Sequence, residues 1–223
     1  MHIPDGLIDI KTSAAFAAAS ALAVAGAVKG ARRQLSEQSA PLAGLTAVFI
    51  FAVQMLNFPV AAGTSGHLIG AALAMVLVGP YAATLALVVV LIIQAFLFAD
   101  GGLTALGLSI FNMAVISVWV SFAVFMLLKK IFPKTKSWLV IATFVSALIS
   151  VPAAAVGFVI QYAIGANATF SVGAVLNAMV GTHILIGIGE AIITALTVSA
   201  VLASRSDLVF GWDKKNTTLE IRS

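Results

Sequence analysis

Residues 81–99, YAATLALVVVLIIQAFLFA, run from Pro80 to Asp100 without one charged side chain. At 1.5 Å per residue a helix of that length reaches about 28 Å, close to the hydrocarbon thickness of a bilayer. The stretch therefore reads as a membrane-spanning helix, closed by the turn-forming Asp100-Gly101-Gly102. The rest of the chain has the same character. Of its 223 residues 61% are hydrophobic and 9% charged, with mean hydropathy +1.13. A soluble domain carries about 25% charged residues.

Spans are expected on both sides of that stretch. Before it come an alanine-rich helix over 7–28, a second opened by Pro41 over 42–56, and a short third over 66–78 stopped by Gly79-Pro80. After it come 103–128, 138–164 with Pro152 as a kink, and 172–203. The fold class is thus an all-α membrane protein with seven transmembrane helices in one domain. Its parts are an arm (1–6), a helical bundle (7–203) and a charged tail (204–223). Residues 57–67 are apolar enough for the membrane but too rich in Pro and Gly for regular helix. Irregular backbone is tolerated at depth only where protein or a water-filled cavity covers it, and interrupted helices mark binding sites in transporters.

Charge sets the orientation. With the N-terminus outside, Lys29, Arg32, Arg33, Lys129, Lys130, Lys134, Lys136, Arg205, Lys214, Lys215 and Arg222 all fall on the cytoplasmic side, leaving out only Lys11. The net charge of +4 therefore reports membrane orientation, not a nucleic-acid partner. Asp5 and Asp9 precede the first apolar run, the wrong sign for a signal peptide, so no cleavage after Ala25 is expected. The chain has no cysteine, which excludes thiolate metal sites, thiol catalysis and disulfides.

The first six residues, Met1-His2-Ile3-Pro4-Asp5-Gly6, have the form of a chelator. The Met1 amine, the His2 backbone nitrogen and His2 Nδ1 close fused five- and six-membered rings on a metal and offer three corners of a square. Square-planar nitrogen coordination suits Ni(II) and Cu(II). Pro4-Asp5-Gly6 reads as a tight turn, with aspartate bonding its own backbone. The fourth corner needs another imidazole. His67 lies on the same side as the arm, which reaches up to about 20 Å when extended. The ligand set expected is Met1, His2 and His67. Metal binding then expels protons and weakens as pH falls through the imidazole range.

His183 and Glu190 share one face of the last helix, and ionisable groups within a span face the bundle interior. They are candidates for an outer shell, as are Asp100 and Asn112, each equally able to serve packing or capping. Asn57 and Gln54 carry less weight. No phosphate-binding loop, catalytic triad, carboxylate pair or dinucleotide fingerprint occurs, so an enzyme with resident cofactors is not expected.

Four segments, Met1 to Gly6, Gly63-Thr64-Ser65-Gly66-His67-Leu68, Leu97 to Gly102 and His183 to Glu190, closely resemble the nickel/cobalt substrate-binding membrane subunits (NikM/CbiM type) of energy-coupling factor transporters. The resemblance implies a metal-capture subunit in the cell membrane of a prokaryote. Its implied partners are a transmembrane coupling subunit, two ATP-binding subunits that hydrolyse the nucleotide and a small accessory membrane subunit. It also places the metal, as substrate, on Met1, His2 and His67. Cobalt-type members more often begin Met-His-Ile-Met-Glu-Gly, with Ser-His-Pro at the loop, so this sequence points to nickel over cobalt. The alternatives are a vitamin-capturing subunit and a self-contained cation carrier or channel, which would need a carboxylate- or carbonyl-lined path.

Overall fold

The computed structural model describes residues 1–34, 40–56, 58–59 and 65–212. Asn57, most of the 60–64 stretch and the basic tail with Lys214, Lys215 and Arg222 lie outside the described residues. Seven helices follow in order: α1 Ile10–Gln34, α2 Ala40–Gln54, α3 Ala71–Val78, α4 Pro80–Leu97, α5 Leu106–Ile131, α6 Lys136–Gly165 and α7 Val172–Ser204. Five of them, all but α2 and α3, are long and apolar enough to cross a membrane. Their flanks expose large apolar side chains such as Leu22, Leu45, Phe96, Leu127, Leu185 and Leu196, a surface for lipid rather than water.

Helix α1 begins at Ile10, later than the apolar run does. Asp9 caps it, accepting the Lys11 and Thr12 amides at 2.8 and 2.9 Å, so Leu7 and Ile8 are left to the arm. The helix is docked through Gly107 of α5. A Cβ there would stand 2.4 Å from Ala17 Cα, and Ser20 Oγ donates to the Gly107 carbonyl at 2.7 Å.

The short α3 is the axis of the bundle. All eight of its residues are buried, and α2, α4, α5, α6 and α7 pack around it. It starts at Ala71, five residues later than the apolar pattern predicts, because Gly70 takes φ +79 and breaks the helix. His67 therefore sits in extended backbone ahead of the helix, not on its first turn. Two-residue strands, Phe58–Pro59 and Ser65–Gly66, pair antiparallel just before it.

Helix α5 carries a π-helical segment over Phe111–Ile116, and α6 stays helical through Pro152. Gly187 of α7 packs there, its would-be Cβ 3.4 Å from the Leu148 carbonyl that proline leaves without a helical donor. Helix α7 ends at Ser204, as expected, but the residues after it are packed rather than solvated. Phe210 and Gly211 donate their amides to the Leu77 and Val76 carbonyls at 3.1 Å each. Lys129 Nζ holds the Gly211 carbonyl at 2.9 Å. The tail thereby satisfies the last carbonyls of α3, groups that a helix end leaves unpaired.

Candidate metal centre

The arm is folded back by the predicted turn. Gly6 adopts φ +78 and the Leu7 amide reaches the Pro4 carbonyl at 3.4 Å. Asp5 works differently from the expectation. Its carboxylate bonds not its own backbone but the next turn, accepting the Leu103 amide at 3.2 Å and the Thr104 amide at 2.8 Å together with the Thr104 hydroxyl. That hydroxyl, first, and those amides hold the Asp5 carboxyl below the usual carboxylate range.

Two turns form the arm's cradle. The Gly102 amide donates to the Ile3 carbonyl at 2.8 Å, and a Cβ at Gly102 would lie 2.4 Å from the Asp5 nitrogen. On the other flank the Asn167 amide donates to the Leu7 carbonyl and Asn167 Nδ2 to the Gly6 carbonyl, both at 2.9 Å. Held this way, Met1 and Ile3 are fully buried and His2 nearly so.

The arm brings the two predicted imidazoles together. The His2 and His67 ring centroids are 4.8 Å apart, tilted by 30°. His67 Nδ1 lies 2.7 Å from the Leu68 carbonyl. A carbonyl only accepts, so Nδ1 carries the proton and Nε2 is left with its lone pair. That Nε2 is buried without a hydrogen-bond partner among the described residues. His2 Nε2 faces Asp100 Oδ2 at 3.5 Å. Burial drives the Met1 amine down to about 4, against a smaller upward pull from Asp100. Burial first and the amine second drive the His2 ring to about 3. Burial, the amine and the His2 ring, in that order, lower His67. All three groups are therefore unprotonated at neutral pH, the state in which nitrogen binds a metal.

The segment after His67 is held from two helices. Gln54 Nε2 of α2 donates to the Ile69 carbonyl at 2.7 Å. The Glu190 carboxylate of α7 accepts the Ile69 amide at 2.5 Å and the Gly70 amide at 3.0 Å. Gln54 and Glu190 are both almost fully buried. His183, two turns before Glu190, donates from Nδ1 to the Met179 carbonyl at 2.7 Å, and its Nε2 is buried and unpartnered among the described residues.

Asn112 is not at the arm. Its amide donates to Gln161 Oε1 at 2.7 Å inside the π-helical segment. The residue of α5 that meets the arm is Ser109, whose hydroxyl oxygen accepts the Ile3 amide at 3.4 Å. Ser109, Thr104 and Asn167 went unnoticed in the sequence, and Gln54 was underweighted. Polar residues of these types carry no local signal when their partners lie far along the chain.

Among the described residues no three His, Cys, Asp or Glu side chains form a metal cluster. What the arm and loop assemble instead is two imidazoles and a buried chain end, a donor set of nitrogens rather than of carboxylates.

Known proteins with this arrangement handle transition metals. A relative from Haloquadratum walsbyi is 39% identical over 212 residues, covering 94% of each chain. The cobalt transport protein CbiM of Sorangium cellulosum is 31% identical, again over 94% of both chains. The fused nickel transport protein NikMN of Rhodobacter capsulatus is 42% identical over 57% of this chain and 37% of its own length. In three dimensions, the crystal structure of a truncated transition-metal transporter superposes with TM-score 0.85 and 30% identity, covering 91% of this chain and 99% of that one. Residues 2–208 match the family described as the CbiM cobalt uptake substrate-specific transmembrane region, and this multi-pass membrane protein belongs to it, a NikM/CbiM-type component of nickel/cobalt transport.

Proposed function

We propose that the chain captures Ni(II), or Co(II), on the outer side of a prokaryotic cell membrane as the substrate-specific subunit of an ATP-driven energy-coupling factor uptake transporter. The observation that carries the reading is the His2–His67 pair at 4.8 Å, with the unpartnered Nε2 of His67 beside a buried Met1. In this reading Met1 nitrogen, His2 nitrogen, His2 Nδ1 and His67 Nε2 form the square. The proton on His2 Nε2 points to Asp100, and a carboxylate behind a ligating imidazole fixes its ring and raises its basicity. The nitrogen-only square favours nickel.

Topology supports the direction of transport. The last turns of α1 and α5 carry Arg32, Arg33, Lys129 and Lys130, while the arm meets the first turns of the same helices. By the positive-inside rule the arm faces outward and seven spans lie between it and a cytoplasmic tail. The chain carries no nucleotide-binding loop, so energy comes from partners: a transmembrane coupling subunit, two ATP-binding subunits and a small accessory membrane subunit.

The test is metal analysis of the purified protein bearing its native first residue beside the same protein with one added leading residue. The added residue moves the amine out of the five-membered ring and pushes bulk into a filled site. The native protein should retain stoichiometric nickel and the extended one should lose it. Equal retention by both would refute the ligand set.

A further inference from the structure

Helix α3 begins without a cap of its own. Its Ncap is Gly70, which has no side chain to receive the helix's first amides. Glu190, from a helix 120 residues further along, does that work: its two oxygens take the Ile69 and Gly70 amides. A carboxylate at a helix N-terminus also meets the positive end of the macrodipole. On the far side of the same peptide, Gln54 takes the Ile69 carbonyl. Both polar groups of Ile69 are thus tied to rigid helices, two residues after His67. Gly70, with φ +79, is wedged against Ile50, which a Cβ would approach to 2.9 Å. The loop has no slack at this point.

We propose that Glu190 and Gln54 are the positioning residues of His67: they fix the imidazole where the arm's three nitrogens leave the fourth corner open. This rests on the ligand set proposed above. The arm's donors are set by covalent ring size, whereas the His67 donor is set only by where its backbone is held. Loss of either holder therefore removes the fourth ligand and leaves the other three.

Glu190→Gln tests this with little change in size. The glutamine keeps one acceptor and turns an NH2 donor toward the second amide. In the full-length protein with its native first residue, Ni(II) affinity should fall about 10- to 100-fold, the usual range for a group that orients a ligand. The visible absorption of the bound nickel should shift to that of His67→Ala. The decisive comparison is the double variant. In the His67→Ala background, Glu190→Gln should change affinity by less than about twofold, because its effect runs through a ligand already gone. An equal loss in both backgrounds, or no loss in the native one, would overturn the proposal. If Glu190→Gln does not fold, Gln54→Met is read by the same cycle. Should His67→Ala itself leave affinity unchanged, the ligand set fails rather than the positioning role.

Discussion

The two segments that supply the candidate ligands are held in opposite ways. The arm docks late and shallowly: its contacts are with the turns at 100–104 and 166–167, and Asp5 and Gly6, which make many of them, are exposed. The His67 segment is anchored deep, between α2 and α7, by side chains with almost no exposure. Glu190 lies 18 residues into α7, about 27 Å along its axis. The difference teaches a division of labour. The arm brings three nitrogens whose mutual geometry is covalent, so it tolerates a loose mount. The loop brings one nitrogen with no such guarantee and needs a rigid one.

That contrast can be broken from the arm side first. His2→Ala removes one ring of the chelate and the partner of Asp100, and should weaken Ni(II) binding by about 1000-fold, ~4 kcal/mol. Isothermal titration on detergent-solubilised protein checks it. His67→Ala takes one corner and leaves the fused rings, so the loss should be smaller, about 100-fold, with faster release into a competing chelator. If His67→Ala cost more than His2→Ala, the loop would be the principal holder and the division of labour would be reversed.

The response to pH sharpens the same contrast. The Met1 amine and His2 ring titrate at about 4 and about 3 in the folded protein. Because these values are lowered, protons compete for the two nitrogens only below about pH 4, and above that the donors stand ready. Between about pH 5 and 8 the proton left to expel is the His2 amide hydrogen. Affinity should rise about tenfold for each pH unit across that range, one proton's worth, with a steeper slope only in stronger acid. An arm that spends its time in water would keep ordinary values near 8.0 and 6.5 and give a slope of two or three protons.

The smallest effect belongs to the arm's mount. Asp5→Ala leaves every nitrogen in place and removes the carboxylate that accepts from Leu103 and Thr104. Loss of such a cap costs about 1 kcal/mol, so affinity should drop about fivefold while thermal stability hardly moves. A loss as large as that of His67→Ala would show the arm to be as tightly positioned as the loop.

How much of this was legible beforehand follows from how local each feature is. Apolar runs announce helices α4 to α7 because lipid demands unbroken hydrophobic length, and Pro4-Asp5-Gly6 announces a turn because proline and glycine restrict φ directly. The start of α3 was misplaced because Leu68 and Ile69 continue its apolar pattern, and only Gly70 marks the break. Gln54 looked like a minor residue and Glu190 an ambiguous one. Their roles depend on hydrogen bonds to Ile69, across 15 and 121 positions of chain, which no short window contains. Asp5 is the instructive case: the residue type was read correctly as turn chemistry, yet its partner lies 99 residues away at Thr104.

The account stands on one coordination sphere shared between the arm and the loop. X-ray absorption at the nickel edge, on loaded protein with its native first residue, looks at that sphere directly. Four short nitrogen neighbours in a plane are predicted, with the outer scattering of two imidazoles that drops to one in His67→Ala. Six-coordinate nickel rich in oxygen, or a spectrum unchanged by His67→Ala, would contradict it.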